Sequence, residues 1–328
     1  MLRLAHRVLS QRVPMVPRVV ADEGMEALMQ QYHLAQVMIG SPACQKIIAD
    51  NVAQYYADTP KQDWSLNGKN FPCVAPPFQG AWFIEWTETN YFIGPNGRED
   101  TPTDQKIQQG GSLLVNVPLN TAGQIFKEHG IGGDELESLL ASSKWFLMIQ
   151  HLCTKDGQVI FLPFSHGVFV GKTGEFIRAI FLSRLINPDL IDASILTGES
   201  FTRLHVPLLT TGFLHCKNVD RIDATKMEGP PPGWCKRKRL PSLEYHTITI
   251  NPNISSKPRS DERKTEGDRS GKALHICRGH FMHCVNDGVS NGLFGKGIYG
   301  TFWVPSHVRG TADLGQVIPT YNVLAPTG

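Results

Sequence analysis

The sequence predicts an α+β protein, in which a helical N-terminal segment packs on a mixed or antiparallel β-sheet and a β-rich module follows at the C-terminus. Apolar residues between positions 22 and 57 recur at helical spacing, while the middle of the chain holds strand-like runs separated by short turns. These runs do not alternate with helices in the βαβ rhythm of a doubly wound sheet. Together, the three observations favour separate helical and β regions.

Composition narrows the class of protein. The chain has 328 residues, of which 41% are hydrophobic, so it can form one large core or two smaller ones. Its formal net charge of +2 excludes a protein with a large overall excess of one charge. No apolar run approaches the ~20 residues that a membrane-spanning helix needs. The seven cysteines are scattered and odd in number, which favours reduced thiols and a cytoplasmic protein.

The first segment, residues 1–21, is predicted to be a flexible basic leader. Residues 1–20 contain four arginines, one histidine and no acidic residue. This composition is also typical of a transit peptide, although Ser10 is the only serine. The sequence therefore leaves both a leader and an organelle signal open.

Residues 22–226 are predicted to form helices followed by a mixed α/β region. Ser41–Pro42 divides the N-terminal helical stretch, with Ser41 as the N-cap of a second helix. Glu85 lies between aromatic residues of a predicted strand, which makes it a candidate buried acid, although we expect it to face solvent. Strands are predicted at 81–86, 91–93, 112–117, 144–153, 158–164 and 168–170, and further helices at 134–143, 176–185 and 207–213.

Residues 227–240 are predicted to be a linker rich in proline and basic residues. Three consecutive prolines around residue 231 prevent regular structure there. The basic run that follows is of a kind that attracts phosphate backbones, whereas in many linkers it only keeps the segment solvated. The residues predicted to contact nucleic acid are Lys236, Arg237, Lys238 and Arg239.

The C-terminal module spans residues 241–328 and includes a polar, mobile loop at 253–272. Its predicted sheet has four strands, at 245–250, 273–281, 300–304 and 321–324. The first of these alternates strictly between polar and apolar residues and is the clearest strand signal in the chain.

Two runs of this module, 273–281 and 300–310, each combine an arginine, a glycine and a histidine after an apolar stretch. Imidazole transfers protons near neutral pH, and guanidinium binds phosphate through paired hydrogen bonds. We therefore predict that His280 and His307 act as acid and base on nucleic acid or a phosphorylated nucleotide. The predicted ligand-binding residues are Arg278, Arg309, Trp303, Tyr299 and His275.

The two runs meet only if their strands pair as a hairpin in a suitable register, which sequence does not specify. In the alternative interpretation, the same residues cap strand ends and bond backbone carbonyls in a non-catalytic interaction protein.

Signals for a metal or a cofactor are weaker. Five potential zinc ligands lie close together in sequence: His275, Cys277, His280, His283 and Cys284. Their spacing fits no pair of zinc knuckles, and alternate strand residues do not converge, so we predict no metal. The P-loop, Rossmann, Gly-x-Ser-x-Gly and His-Glu-x-x-His motifs do not occur, so we expect no cofactor.

The strand histidine His275 and the later run Gly295–Tyr299 resemble motifs of the poly-ADP-ribosylating enzymes. The resemblance implies that His275 and Tyr299 frame a nicotinamide riboside. The sequence departs from that family because Ile276 and Cys277 follow the histidine, where the family has a glycine. It also has no glutamate after Gly310, where Gln316 is the nearest counterpart.

The last third of the chain resembles an uncharacterised family of proteins encoded by bacteria and their phages. The resemblance rests on five runs, His215–Val219, Tyr245–Ile250, His275–Phe281, Leu293–Gly295 and Gly300–Gly310. It implies a prokaryotic or viral protein, in which the basic leader is not an organelle signal, and it implies no particular activity. The sequence departs from the family pattern at Met282–Ser290, which leaves the role of that loop open.

Overall fold

The computed structural model describes residues 3–15, 24–58, 65–88, 108–128, 132–155, 157–182, 201–225, 232–250, 273–277, 280–284, 286, 298–304, 307–309 and 311–317. The chain divides into two compact units, Met1–Thr249 and Ile250–Gly328. Both helices and strands are prominent, and they are not arranged as βαβ repeats, so the predicted α+β class is confirmed.

An eight-stranded sheet forms the centre of the first unit, in the order β6-β5-β4-β3-β2-β1-β8-β7. The strands are β1 (Gln45–Ile48), β2 (Trp82–Glu88), β3 (Gln108–Val117), β4 (Ser143–Lys155), β5 (Gln158–Gly171), β6 (Phe176–Leu182), β7 (Val219–Asp223) and β8 (Tyr245–Ile250). Pairing is antiparallel from β6 to β2, whereas β1 is parallel to both β2 and β8. The sheet is therefore mixed.

Helices cover this sheet. They are α1 (Leu4–Ser10), α2 (Met25–Gly40), α3 (Asp50–Asp58), α4 (Leu119–Glu128), α5 (Asp134–Ser142), α6 (His205–Leu214) and α7 (Pro232–Lys238). Helices α1 and α2 share one apolar core with strands β1 to β5 and β8. Helices α4 and α5 contribute to a second core, built around three packed phenylalanine rings on α4, β4 and β5.

Helix α1 is part of the main core, so the prediction of a flexible leader at 1–21 is wrong for this stretch. Leu4, Ala5 and Val8 are completely buried, and their spacing places them on one face of the helix. Strand β3 has Gly111 beneath this face. A Cβ atom at Gly111 would lie 2.6 Å from Leu4 Cδ2 and 2.8 Å from Phe83 Cζ, so a larger residue here would have to displace these two side chains.

The C-terminal end of α1 is held by side chains of α2. Tyr32 Oη donates a hydrogen bond to the Val8 carbonyl at 3.1 Å, and Gln36 Nε2 donates to the same oxygen at 2.7 Å. Helix-terminal carbonyls have no partner within their own helix, so these donors complete the hydrogen bonding of α1. A short N-terminal segment is thereby fixed to the rest of the unit.

Two predicted helices have a different structure. No helix begins at Ser41–Pro42; instead, the apolar run after it forms β1, buried between β2 and β8. The predicted helix at 176–185 is strand β6 at residues 176–182. Both runs are too short for periodicity to distinguish a strand from a helix, and pairing with neighbouring strands decided the outcome.

Two predicted boundaries are also corrected. The linker at 227–240 contains helix α7, in which the third proline occupies the first position, where a missing N–H is tolerated. Strand β8 belongs to the large sheet beside β1 and not to the C-terminal sheet. The predicted strands at 91–93 and 321–324 and the loop at 253–272 lie outside the described residues.

Other predictions agree with the structure. The predicted strands at 81–86, 112–117, 144–153 and 158–164 correspond to β2, β3, β4 and the first half of β5, and 168–170 is the second half of β5. The predicted helices at 134–143 and 207–213 correspond to α5 and α6. Periodicity was strong in these segments, and turns between them were well marked.

The second unit contains five described strands: β9 (Ala273–Cys277), β10 (His280–Cys284), β11 (Gly300–Val304), β12 (His307–Arg309) and β13 (Thr311–Val317). Strands β10 and β11 pair antiparallel. Strand β9 lies between β12, which is antiparallel to it, and β13, which is parallel.

We predict that Leu4→Ala lowers the free energy of unfolding by about 2–5 kcal/mol, because it leaves a cavity between α1 and β3. Urea denaturation of the full chain would measure the change. Val13→Ala is the control, since Val13 is 59% exposed and its truncation should change stability by no more than about 0.5 kcal/mol. Equal stability of Leu4→Ala and the parent protein would show that α1 does not belong to the core.

Candidate functional site

The backbone register of the second unit brings the two Arg–Gly–His segments together. His307 of β12 lies opposite Cys277 of β9, and Arg309 lies opposite His275. Further along, His280 of β10 lies opposite Val304 of β11. In both pairings the residue numbers of the partners have the same sum, as continuous antiparallel pairing requires, so the two segments run antiparallel side by side. The hairpin pairing that the prediction required is therefore present.

Four predicted or candidate residues share one face of the β9–β12 pair. Directly opposed residues lie on the same face of a sheet, and alternate residues of a strand do so too. By this rule the shared positions are His275, Cys277, His307 and Arg309. We call these four positions the ribbon face. Arg278, the remaining arginine of the predicted cluster, lies outside the described residues.

The neighbouring β10–β11 pair contains packed aromatic side chains. Trp303 is 3% exposed, and its ring packs edge-to-face on Phe281 with 4.9 Å between the ring centroids. His283 Nδ1 is 3.0 Å from Thr301 Oγ1, which is a hydrogen bond. His280, in contrast, is exposed. Trp303 thus occupies a packing environment, while His280 is accessible.

The predicted pair His275 and Tyr299 lies at two different places in the strand register. Tyr299 is half-buried and directly precedes the end of β11 that pairs with Cys284, whereas His275 pairs with Arg309 and Val317. His275 and Tyr299 are therefore not opposite each other in the register.

As for metals, no group of three or more His, Cys, Asp or Glu residues in the described part of the chain is placed to hold an ion.

The basic run lies at the end of helix α7. Lys236, Arg237, Lys238 and Arg239 are all exposed, and Arg239 has a positive φ of 55° at the helix end. Cations at a helix C-terminus interact favourably with its unpaired carbonyl groups, which is a structural reason for part of this charge. The same exposure leaves the four cations available to a polyanion.

A chain of three buried polar side chains crosses the large sheet, and the sequence did not indicate it. Ser112 Oγ of β3 is 2.8 Å from His151 Nδ1 of β4, and His151 Nε2 is 2.9 Å from His166 Nδ1 of β5. All three residues are at most 1% exposed. The contacts are across the strands, so they follow from register and not from sequence spacing.

The two imidazoles of this chain are held in their neutral form. Burial, and secondarily the positive charge of Arg203, lowers the pKa of His166 to about 3. Burial also holds the pKa of His151 well below its ordinary value, with contributions from His166 and Arg203. The contact between the ring nitrogens of His151 and His166 needs one proton and one lone pair, and two neutral rings provide both. The three side chains are buried, so any proton that they relay would pass within the interior of the unit.

A second buried network joins both ends of the first unit. Tyr245 Oη of β8 is 2.7 Å from His6 Nδ1 of α1, and Cys235 Sγ of α7 is 3.7 Å from His6 Nε2. Burial, assisted by the charge of Lys46, lowers the pKa of His6 to about 4. The imidazole is therefore neutral at physiological pH. It joins three elements that are distant in sequence.

Glu85 is part of the same region, which corrects the prediction that it faces solvent. Its carboxylate is 1% exposed and accepts a hydrogen bond from the Ala5 N–H at 2.9 Å, close to the N-terminus of α1. Arg3 Nε lies 3.8 Å from the other carboxylate oxygen, and Arg3 also contacts Asp50 at 3.1 Å. The acid faces the core because helix α1 covers this side of β2.

The chain matches no protein-family model, no curated protein and no solved structure. The resemblance of its last third to bacterial and phage proteins therefore stays a prediction. In the described part of the chain, none of the helices combines the length and apolar character needed to cross a membrane.

We predict that stability falls on acidification below pH 6.5 and that His166 contributes to this loss. Its pKa is about 3 in the folded state against an ordinary value of 6.5, so the unfolded state binds more protons between these values. The stabilisation is complete above pH 6.5 and decreases as pH falls. His166→Gln should reduce the pH dependence by about 1 kcal/mol per pH unit between pH 6 and pH 4.

Urea denaturation at several pH values would measure both slopes. His33→Gln is the matched control, because His33 is an exposed histidine on α2 and its replacement should leave the slope unchanged. A slope in His166→Gln equal to that of the parent protein would contradict the assignment.

Proposed function

We propose that the protein binds or acts on nucleic acid or a phosphorylated nucleotide, and that the ribbon face forms the contact. The observation that carries this proposal is the β9–β12 register, which gathers His275, His307 and Arg309 at neighbouring positions of two paired strands. The first and last of these residues, His275 and Arg309, are more than thirty positions apart in sequence. Their juxtaposition is a property of the fold.

The chemistry of these residue types suits a phosphate ligand. Arginine stays charged at all relevant pH values and binds two phosphate oxygens at once. Histidine near neutrality both donates hydrogen bonds to phosphate and transfers protons. In this proposal Arg309 holds the phosphate and His307 acts as acid or base. Roles for His280 and Arg278 stay predictions, because His280 pairs with Val304 at the alternate position of the register.

The exposed basic run on helix α7 supports a polyanionic ligand. Four adjacent cations there have no acidic residue among them in sequence. An exposed cluster of this kind raises the rate of encounter with a nucleic acid and adds salt-dependent affinity without sequence preference. We therefore propose that the basic run attracts the ligand electrostatically and takes no part in a reaction; its residues are Lys236, Arg237, Lys238 and Arg239.

The main alternative is a non-catalytic interaction protein in which the same cluster is structural. The contacts of Trp303 with Phe281 and of His283 with Thr301 favour packing roles for the adjoining strands. The register gives no support to an ADP-ribosyltransferase-like site, because it does not bring His275 and Tyr299 opposite each other. The experiments below distinguish the first two alternatives.

For the ribbon face, a thermal-shift screen of nucleotides and short RNA and DNA would first identify a binding probe. We expect Arg309→Ala to weaken binding of that probe about tenfold or more, since hydrogen bonds to charged groups contribute about 1.5–3 kcal/mol. His307→Ala should abolish any turnover of the probe while leaving its affinity within a few-fold. Arg12→Ala, at an exposed arginine of the first unit, is the control.

Circular dichroism and thermal melting of each variant decide between the alternatives. A folded Arg309→Ala variant with weakened binding supports the proposal. If both ribbon-face variants lose their fold, the cluster is structural, and if both bind like the parent protein, the phosphate contact lies elsewhere.

For the basic run, we expect Lys236→Gln/Lys238→Gln to reduce nucleic-acid affinity similarly for all sequences and to lower the salt dependence of binding. Each lost phosphate contact reduces the slope of log affinity against log salt by about 0.9 on duplex DNA. Fluorescence anisotropy at several salt concentrations would measure this slope. Lys155→Gln/Lys172→Gln, at two exposed lysines elsewhere, should leave it unchanged; equal slopes for both double variants would exclude α7 from the contact.

A further inference from the structure

A cavity lies at the edge of the large sheet, beside its outermost strand β6. Its volume is about 290 Å³, and it is bounded by helix α5, strand β6 and Phe201. Strand β6 is the outermost strand of the sheet order, so this side of it has no neighbouring strand among the described residues. A volume of this size is at the lower end of small-molecule sites.

Most of the cavity lining is apolar and includes Leu136 and Leu139 of α5 and Ile180 of β6. Phe181 and Phe201 also line the cavity, and both rings pack against the buried ring of His166 with centroid distances of 5.6 and 5.1 Å. Because neighbouring strand residues alternate, Phe181 belongs to the face of β6 opposite to Ile180. An apolar lining of this kind favours an apolar or aromatic group over a polar one.

One charged residue of each sign lines the cavity. Arg178 of β6 and Glu135 of α5 form an ion pair, and their side chains are 52% and 70% exposed. Exposed ion pairs contribute little net stability, so a ligand can rearrange this one readily. This ion pair joins one nitrogen of Arg178 to one oxygen of Glu135. A guanidinium has five N–H donors and a carboxylate has two oxygens, which leaves capacity for further charged partners.

The geometry points to a binding site for a zwitterion with an apolar or aromatic side chain, such as a free aromatic α-amino acid. Its carboxylate would bind Arg178, its ammonium group would bind Glu135, and its side chain would enter the apolar interior. Two opposite charges at one apolar cavity match both charges of such a ligand. A simple anion would face Glu135, and a simple cation would face Arg178, so each would lose part of its binding through like-charge repulsion.

Binding of four related probes to the full chain tests this assignment by calorimetry. The probes are L-phenylalanine, 3-phenylpropionate without the ammonium group, 2-phenylethylamine without the carboxylate, and glycine without the side chain. We expect saturable binding of L-phenylalanine, binding about tenfold weaker or more for each single-charge analogue, and no detectable binding of glycine.

Variants assign each charge to its residue. Arg178→Gln should weaken L-phenylalanine binding about tenfold and leave 2-phenylethylamine unweakened, whereas Glu135→Gln should weaken L-phenylalanine similarly and leave 3-phenylpropionate unweakened. Leu139→Trp should abolish binding by filling the cavity. Lys144→Gln is the control, because Lys144 is exposed and its ammonium group lies over Trp145, outside the cavity lining.

Several outcomes would overturn the inference. They are no saturable binding of L-phenylalanine to the parent protein, equal binding of a single-charge analogue, or binding that neither Arg178→Gln nor Glu135→Gln alters. Because both charged residues are exposed, these variants should remain folded, and circular dichroism would verify this. The result is independent of the phosphate-ligand proposal, since a protein without nucleic-acid affinity can still bind the amino acid.

Discussion

The close packing of helix α1 on strand β3 is the contact on which the first unit depends. Gly111 lacks a side chain, so Leu4 lies directly against the sheet. The apolar face of α1 completes the core that α2 forms with strands β1 to β5 and β8. This packing also determines the polar chemistry nearby. Because α1 excludes water from this side of β2, Glu85 must find its partners in the protein, and it finds them in Arg3 and the first turn of α1.

Two sets of buried polar groups in the first unit are paired across elements that are far apart in sequence. Ser112, His151 and His166 connect three strands, and His6, Tyr245 and Cys235 connect two helices and a strand. Low dielectric surroundings make such networks favourable only in one arrangement, so they help to select a unique packing. Neither network is open to solvent. Function is therefore to be sought elsewhere, in the basic run, the ribbon face and the edge cavity.

The ribbon face shows why a candidate site can be named from sequence and still depend on the fold. The residue types at His275, His307 and Arg309 suggest phosphate chemistry wherever they occur, yet they constitute a site only if they are neighbours. A shift of one residue in the β9–β12 register would move each partner to the opposite face. The observed register aligns the two segments, and the proposal for nucleic-acid or nucleotide binding depends on this alignment.

The sequence by itself determined the α+β class and most long, strongly periodic elements, such as β3, β4, β5 and α5, because periodicity and turn residues are local properties. It also identified the basic run and the residue types of the ribbon face. Only the tertiary structure decided that residues 4–10 of the predicted leader form a core helix, that residues 176–182 form an edge strand and that Glu85 is buried, since each outcome depends on which distant element covers the segment. The two histidine networks and the edge cavity were also decided only by the tertiary structure. They arise from contacts between strands and helices that no spacing along the chain encodes.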